Sequence, residues 1–582
     1  MNFLDYAWSS SFTITQKDPK EIRILLPDRL TYPILSTDTD GYVLYIAKPV
    51  KEDQSLLSLH GMFFDSDNRG KYAAWRLFKA SVHHLSAHAV CSDFRCYSDW
   101  ANDKDEDWAT FVVSVVEDAV LKAYFRAYWP GYLNDAAYAN YVSFLRMKSP
   151  REIYRRSLGI SAAILSHLAV GRAKDGLDSE LRDILEKTTS ELDHLYSSVF
   201  AACSSKDGGL QGLLPPQSSF ELRLKTAERL YSLLEATGTL PEVPSIPFTD
   251  NHGKCSLFES SVSASESERL GSLQSAYTIL GLNVEPRGLQ AVASDSEQDS
   301  ESSTVFAAWE SQEVWRSRRL EHFLKFKDDL HFSSFSFPIE DYGQFVRVRS
   351  KLAGPIRRIL DELRKRKTST DEISGHESGQ IDLQAAIQVV ASKSVRSDVF
   401  VREEILLKNE AWAVLVDTSK SLSAFAGEVK GVATCLAEVA KDLVAGPNSW
   451  ALYGFSDKFI VVKDFSEQLT NSVRARIGGL QQGGTSYIPD ALRLAAKELA
   501  TTSEDLKVLV LVSDGFPHGY RDIDEALLKT AKELANSEII LLGIGLGSRA
   551  IKRFVRANCV VDSPYELMKY FAKAYLEFSP NA

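Results

Sequence analysis

The carboxyl-terminal part of the chain repeats a pattern that few folds can satisfy. Predominantly apolar runs at 412–416, 449–455, 459–462, 506–512 and 538–544 are interleaved with amphipathic stretches at 422–444, 488–500, 522–535 and 564–578. An apolar run with no polar alternation reads as a strand buried on both faces, and helices between such strands supply the cover. Residues 404–582 are therefore expected to form an α/β, doubly wound, Rossmann-like domain around a mostly parallel sheet. Ligands in such sheets bind beyond the carboxyl ends of the strands, near the point where the strand order reverses.

Three of those ends or loops carry hydroxyls and carboxylates. The first run leads into Asp417-Thr418-Ser419-Lys420-Ser421, the loop before the 488–500 stretch reads Gly483-Gly484-Thr485-Ser486, and the 506–512 run leads into Ser513-Asp514-Gly515. Asp417, Ser419, Ser421, Thr485 and Asp514 are hard oxygen donors of the kind that suit Mg²⁺ or Ca²⁺. Alternate positions in the Asp-x-Ser-x-Ser turn let several side chains face one point, and the paired glycines let the backbone approach an ion. Taken alone, Ser421 is equally a helix cap and Asp417 equally a turn-ordering residue. The Thr485 and Asp514 segments, in a matching strand–helix series, favour the metal site.

The five positions resemble the metal-ion-dependent adhesion site of the von Willebrand factor A family, in order and on the expected elements. The resemblance implies that Ser419, Ser421 and Thr485 ligate Mg²⁺ (or Ca²⁺ or Mn²⁺) directly, while Asp417 and Asp514 act largely through water. An open position on the ion would then accept an acidic residue of a partner protein. Lys420 stands where family members often carry Gly, and its charge would either weaken metal affinity or attract that acidic partner.

Upstream, the chain reads as a mainly α-helical region with a small β portion. Residues 1–65 contain short runs such as 21–26 and 42–47 separated by turn residues, a strand signal. Residues 66–237 read as a helical domain, with helices at 111–128, 152–170, 179–203 and 220–236. The 111–128 stretch is apolar at nearly every three-to-four spacing and stops at Pro130-Gly131. Residues 238–305 read as a flexible linker, rich in Pro and Ser and then acidic. The stretch 294–304 has no apolar side chain and is expected outside any core. Residues 306–403 read as a helical region leading to the final domain, with one helix at 346–367 and a loop at 368–379. The basic run 364–367 fits the last turn of that helix.

The approach to the last domain runs Gly375-His376-Glu377-Ser378-Gly379-Gln380-Ile381-Asp382-Leu383-Gln384-Ala385-Ala386-Ile387, then 396–402. It resembles the NorD/CbbO group of von Willebrand A proteins. The likeness is specific over 375–560 and looser at 83–88, at Glu117-Asp118 and near Trp309. It implies a non-enzymatic partner of a MoxR-type AAA+ ATPase, itself usually a hexameric ring, that grips a client enzyme and promotes its activation, remodelling or metal and cofactor loading. This chain has no Gly-x-x-x-x-Gly-Lys-Ser/Thr loop, so it is expected to bind no nucleotide itself. The alternative is a stand-alone, adhesion-like binding module.

Bulk properties narrow the classes further. A net charge of −11 argues against a nucleic-acid partner, whose phosphates need a basic face. No apolar run is long enough to cross a membrane, the first residues lack a secretion-signal pattern, and six cysteines are too sparse for a disulfide scaffold. A cytoplasmic protein is expected. Cys91 and Cys96 lack zinc-knuckle spacing.

A second constellation lies at His83-His84 and His88. His84 and His88 are one helical turn apart, a spacing that can bind zinc, and Glu117 is a candidate third ligand. The pattern echoes a degenerate zincin, but Leu85 occupies the position of the general-base Glu, which leaves a protease without its proton acceptor. The competing reading is a buried polar network between two helices.

Overall fold

The structure is a computed structural model that describes all residues except 1, 28–29, 31–32, 60–61, 175, 205–212, 245, 247–297, 368–370, 377–379, 393–398, 405–408, 445 and 579–582. The chain divides into two units, Met1–Trp315 and Arg316–Ala582.

The second unit is built on a seven-stranded sheet. Its order is Ala557–Val561, Ile539–Leu546, Leu506–Ser513, Glu410–Asp417, Trp450–Phe455, Lys458–Lys463 and Ser334–Ser336. Neighbours are parallel except for the hairpin of Trp450–Phe455 with Lys458–Lys463. Every residue of Glu410–Asp417 is buried. Trp412, Val414 and Val416 share a core with Val432 and Leu436 of the helix Ala426–Leu443, and with Phe571 of Pro564–Phe578. Ala411, Ala413 and Leu415 face Ala491, Leu494 and Ala495 of Ile488–Ala500. Side chains alternate between two apolar layers, so the strand reads as continuously apolar. The chain winds outward from Glu410–Asp417 first to one side and then to the other. Strand order therefore reverses there, with Asp417 at its carboxyl end.

Several elements of this unit differ from the sequence expectation. Ser334–Ser336 joins the sheet from the stretch read as helical, pairing parallel with Lys458–Lys463. The strand Ala557–Val561 and the helix Asn471–Gly478 were not foreseen. The expected single helix at 346–367 is two, Tyr342–Lys351 and Ala353–Lys367, separated at Leu352. Pro355 explains the break: inside a continuous helix it would remove a hydrogen bond and clash with the preceding turn, whereas in the first turn of a new helix its missing N–H costs nothing. Residues 371–376, expected in a loop, form a strand antiparallel to Phe400–Glu404. Next to it Asp382 caps the helix Leu383–Ser392 by accepting from the N–H groups of Gln384 and Ala385; Glu377, Ser378 and Gly379 of the quoted motif lie outside the described residues.

In the first unit the helix Glu106–Tyr128 is the central element. Asp105 caps it by accepting from the N–H of Trp108, and Glu106 and Asp107 complement its positive end. It ends just before Pro130. The helices Asn68–Cys91, Ser179–Ser204 and Phe220–Glu235 pack around it, burying Phe111, Val115, Tyr124, Leu195 and Leu230. Among the described residues, the first 65 positions supply six short strands in two three-stranded sheets. They also supply a helix that was not foreseen, Phe3–Thr15, opened by a reciprocal Asn2–Asp5 capping box. Phe3 packs edge-on against Trp75, Phe78 and Phe306. Phe306 sits on Gln298–Leu324, a helix that reaches back into the polar stretch expected outside any core and carries Ser302 into a buried position. Residues 294–297 of that stretch lie outside the described residues.

A buried ion pair ties three of these helices together. Arg223 of Phe220–Glu235 donates from Nη1 to Glu117 Oε1 and Oε2 at 3.1 and 2.9 Å, and to the carbonyl of Cys91 at 2.9 Å. Tyr97 donates to Glu117 Oε1 at 2.6 Å. Both charged side chains are essentially solvent-free. Removing one partner of such a pair strands the other charge in an apolar interior. Glu117→Ala is therefore expected to cost about 3–5 kcal/mol in denaturant unfolding of the first unit, far more than the typical surface substitution.

Candidate metal centre at the carboxyl edge of the sheet

Asp417 is the hub of the candidate site. Its carboxylate is fully buried. Oδ1 accepts the N–H of Ser419 at 2.9 Å; Oδ2 accepts the hydroxyls of Ser486 at 2.8 Å and Ser513 at 2.6 Å. Three separate segments are thus tied to one side chain, the three that the sequence marked. Within the turn, the hydroxyls of Ser419 and Ser421 lie 2.9 Å apart.

Backbone bonds clamp the glycine loop onto this turn. Gly483 donates to the carbonyl of Thr418 at 2.7 Å, and Lys420 donates to that of Gly484 at 3.0 Å. Gly484 has φ of 73°, and a Cβ there would stand 1.7 Å from Asp457 Oδ1, so a left-handed, side-chain-free residue is required. The clamp sets Thr485 directly after Gly484, exposed, with Ser486 turned inward to Asp417. Asp514 follows Ser513 at the end of its strand and accepts the N–H of Phe516 at 3.1 Å. Its negative charge acts on Asp417: burial above all, and then Asp514, push the Asp417 carboxyl above its ordinary range, against the hydrogen bonds from Ser513 and Ser419.

The five expected residues therefore gather at one edge of the sheet. Asp417, Ser419 and Asp514 are buried, while Ser421 and Thr485 are exposed beside the likewise exposed Lys420. Two residues were overlooked: Ser486 and Ser513, whose hydroxyls hold Asp417. The signal was a hydroxyl adjacent to Thr485 and another adjacent to Asp514. The donor set fits a divalent cation, being all oxygen, with two carboxylates close enough to repel each other and hydroxyls facing outward. Ser419, Ser421 and Thr485 would hold the ion, with Asp417 and Asp514 behind them.

The histidine constellation is brought together differently from the expectation. His84 and His88 meet, but the carboxylate beside them belongs to Asp118. Glu117 is turned to Arg223 and Tyr97. Consecutive residues on a helix point about 100° apart, so only one of the two acids can face the histidines. His83 points elsewhere again, its Nε2 3.0 Å from the hydroxyl of Tyr6 and its ring 4.0 Å from that of Tyr132, and burial pushes its pKa down to about 3.

Residues 413–558 match the family model of the von Willebrand factor type A domain. An uncharacterized protein of Pseudomonas aeruginosa is 27% identical over 153 residues, and the match spans about a quarter of each chain, 24% of this one and 25% of the relative. Among solved structures, the pilus adhesin SpaC of Lactobacillus rhamnosus GG is 18% identical over 28% of this chain and 30% of its own, with a TM-score of 0.24. The manganese-loaded TRAP protein of Plasmodium vivax is 16% identical over 29% of this chain and 74% of its own, also with a TM-score of 0.24. By the family match, and by a mostly parallel sheet whose order reverses at Asp417, the chain carries a von Willebrand factor type A domain at residues 413–558.

Proposed function

We propose that the Asp417 site holds a divalent cation, Mg²⁺ or one of its relatives Ca²⁺ and Mn²⁺, and that the ion grips an acidic side chain of a client protein. The observation that carries this reading is the division of labour at the site. One buried carboxylate organises three segments, while the hydroxyls of Ser421 and Thr485 sit at the surface. Hydroxyl ligands neutralise little of the ion's charge, so it keeps its affinity for an external carboxylate. Lys420 beside them adds to the attraction for an acid.

The approach segment 375–387 supports a narrower role, that of the NorD/CbbO group. In that role the domain is the client-binding part of an assembly with a MoxR-type AAA+ ATPase, which supplies the nucleotide chemistry. A stand-alone binding module is the second reading, favoured by the confinement of the family match to 413–558. The two part in reconstitution of the full chain with a MoxR-type ATPase from the same source. The first expects a stable complex and a client retained only with Mg²⁺; failure to form any complex leaves the second. Asp417→Asn should leave ATPase docking intact and weaken client retention at least tenfold. Retention that ignores both this substitution and EDTA would end the cation-grip reading.

Stability supplies an independent check. With its pKa raised in the folded state, Asp417 contributes stability below the ordinary carboxylate pKa of about 3.9, and that contribution is lost as pH rises through its folded value. A bound cation reverses the penalty for the ionised form. The gain in Tm on adding Mg²⁺ should therefore be small in acid, where protons compete, and grow toward neutral pH. Asp417→Asn should abolish the gain while holding EDTA-treated stability within about 1 kcal/mol of the unsubstituted chain, since its amide keeps the shape and the hydroxyls can reorient.

A further inference from the structure

The geometry points to a second metal site, in the first unit: His84, His88 and Asp118 hold one borderline ion of the Zn²⁺ class, with a fourth position open to water. His84 and His88 lie on Asn68–Cys91 and Asp118 on Glu106–Tyr128, two helices packed together. His84 Nε2 and His88 Nε2 are 2.9 Å apart, and Asp118 Oδ1 lies 3.3 and 3.2 Å from them. A tetrahedral ion with Zn–N bonds near 2.0–2.1 Å sets its ligands about 3.3 Å apart. The three atoms thus form a slightly contracted face of that tetrahedron.

Each ring nitrogen has one in-plane position, filled by a proton or by a lone pair. Without an ion, protons on the imidazoles hold the triangle through hydrogen bonds among His84, His88 and Asp118. A cation accepts all three lone pairs at once. The surroundings are those of a ligand set. His88 Nδ1 lies 2.8 Å from the hydroxyl of Ser92, and donation along that contact leaves Nε2 bare, the tautomer a metal requires. Both histidines are buried. On the remaining side His84 and Asp118 line a cavity of about 70 Å³, walled by Leu121, Phe125 and Leu133 with Lys122 and Asn140 as polar members. That is room for about two waters, and no general base stands in the Leu85 position, so the site is a binding site rather than a hydrolase.

Imidazole nitrogens favour Co²⁺ and Zn²⁺ where all-oxygen sites favour Mg²⁺, so the two sites are separable in the intact chain. Metal-stripped full-length protein, titrated with Co²⁺ in excess Mg²⁺, is expected to show the intense visible bands of tetrahedral cobalt, saturating at one equivalent and displaced by Zn²⁺. His88→Gln and Asp118→Asn should each weaken binding at least tenfold. X-ray absorption of the zinc-loaded unsubstituted chain, which needs no variant to fold, should show imidazole backscattering from two rings. Absence of the cobalt bands, bands undiminished in both variants, or an all-oxygen zinc shell would each overturn the assignment.

Discussion

Burying a carboxylate without compensation is among the most costly things a protein interior can do, and the second unit is arranged around the support of a buried one. Asp417 sits at the reversal point of the sheet, beside the exposed Ser421 and Thr485, yet its own side chain is closed off. The fold supplies three donors to it, one backbone N–H and two hydroxyls from other strands or loops. Those bonds satisfy the oxygens but do not neutralise the charge, and Asp514 adds to it. The arrangement is internally consistent as the support of a cation, because a positive ion converts the burial penalty and the acid–acid repulsion into attraction. The surrounding sheet then matters as a rigid platform. Asp417, Thr418 and Phe455 are locked in register across two parallel strands, with Thr418 bonded through both N–H and hydroxyl to the carbonyl of Phe455.

The first unit treats its acids in contrasting ways at consecutive positions. Glu117 is closed: a guanidinium and a phenol occupy its oxygens and no solvent reaches it. Asp118 is turned by one residue's rotation toward two imidazoles and a cavity, and hydrogen bonds from His84 and His88 hold its pKa below the usual carboxylate range although burial opposes this. Only the arrangement of neighbours separates a structural acid from a candidate ligand here, and those neighbours come from helices more than a hundred positions away for Arg223 and about thirty for the histidines. A single sequence places both acids on the helix but does not rank them.

That difference accounts for what was legible beforehand. The sheet of the second unit could be read because its strands are buried on both faces, which imposes an apolar run that no turn or exposed helix would show; Glu410–Asp417 and Leu506–Ser513 are the clear instances. The candidate ligands could be read because chemistry restricts them to oxygen donors at strand ends. Elements whose formation depends on a distant partner were missed. Ser334–Ser336 is three residues long and exists through its pairing with Lys458–Lys463. The strand at 371–376 depends in the same way on Phe400–Glu404. The helix Phe3–Thr15 was hidden by its run of Ser and Thr, residues that compete with the helical backbone. Its start signal, Asn2 with Asp5, was nonetheless present.

The two candidate centres also differ in what their donors ask of a metal, and this bears on how one chain would use both. The Asp417 site offers weak, hard, partly exposed ligands, suited to an ion that exchanges readily and keeps a position for another protein's carboxylate. The His84 site offers two imidazoles and one carboxylate from a packed helical interior, suited to a borderline ion held for longer and facing a pocket lined mostly by apolar side chains. An ion at the first responds to binding at the surface. An ion at the second cross-links Asn68–Cys91 to Glu106–Tyr128, the same pair of helices that Arg223 already bridges through the Cys91 carbonyl and Glu117. Its effect would therefore fall on the packing of the helical unit, where a metal adds rigidity in proportion to its affinity for the folded state over the unfolded one.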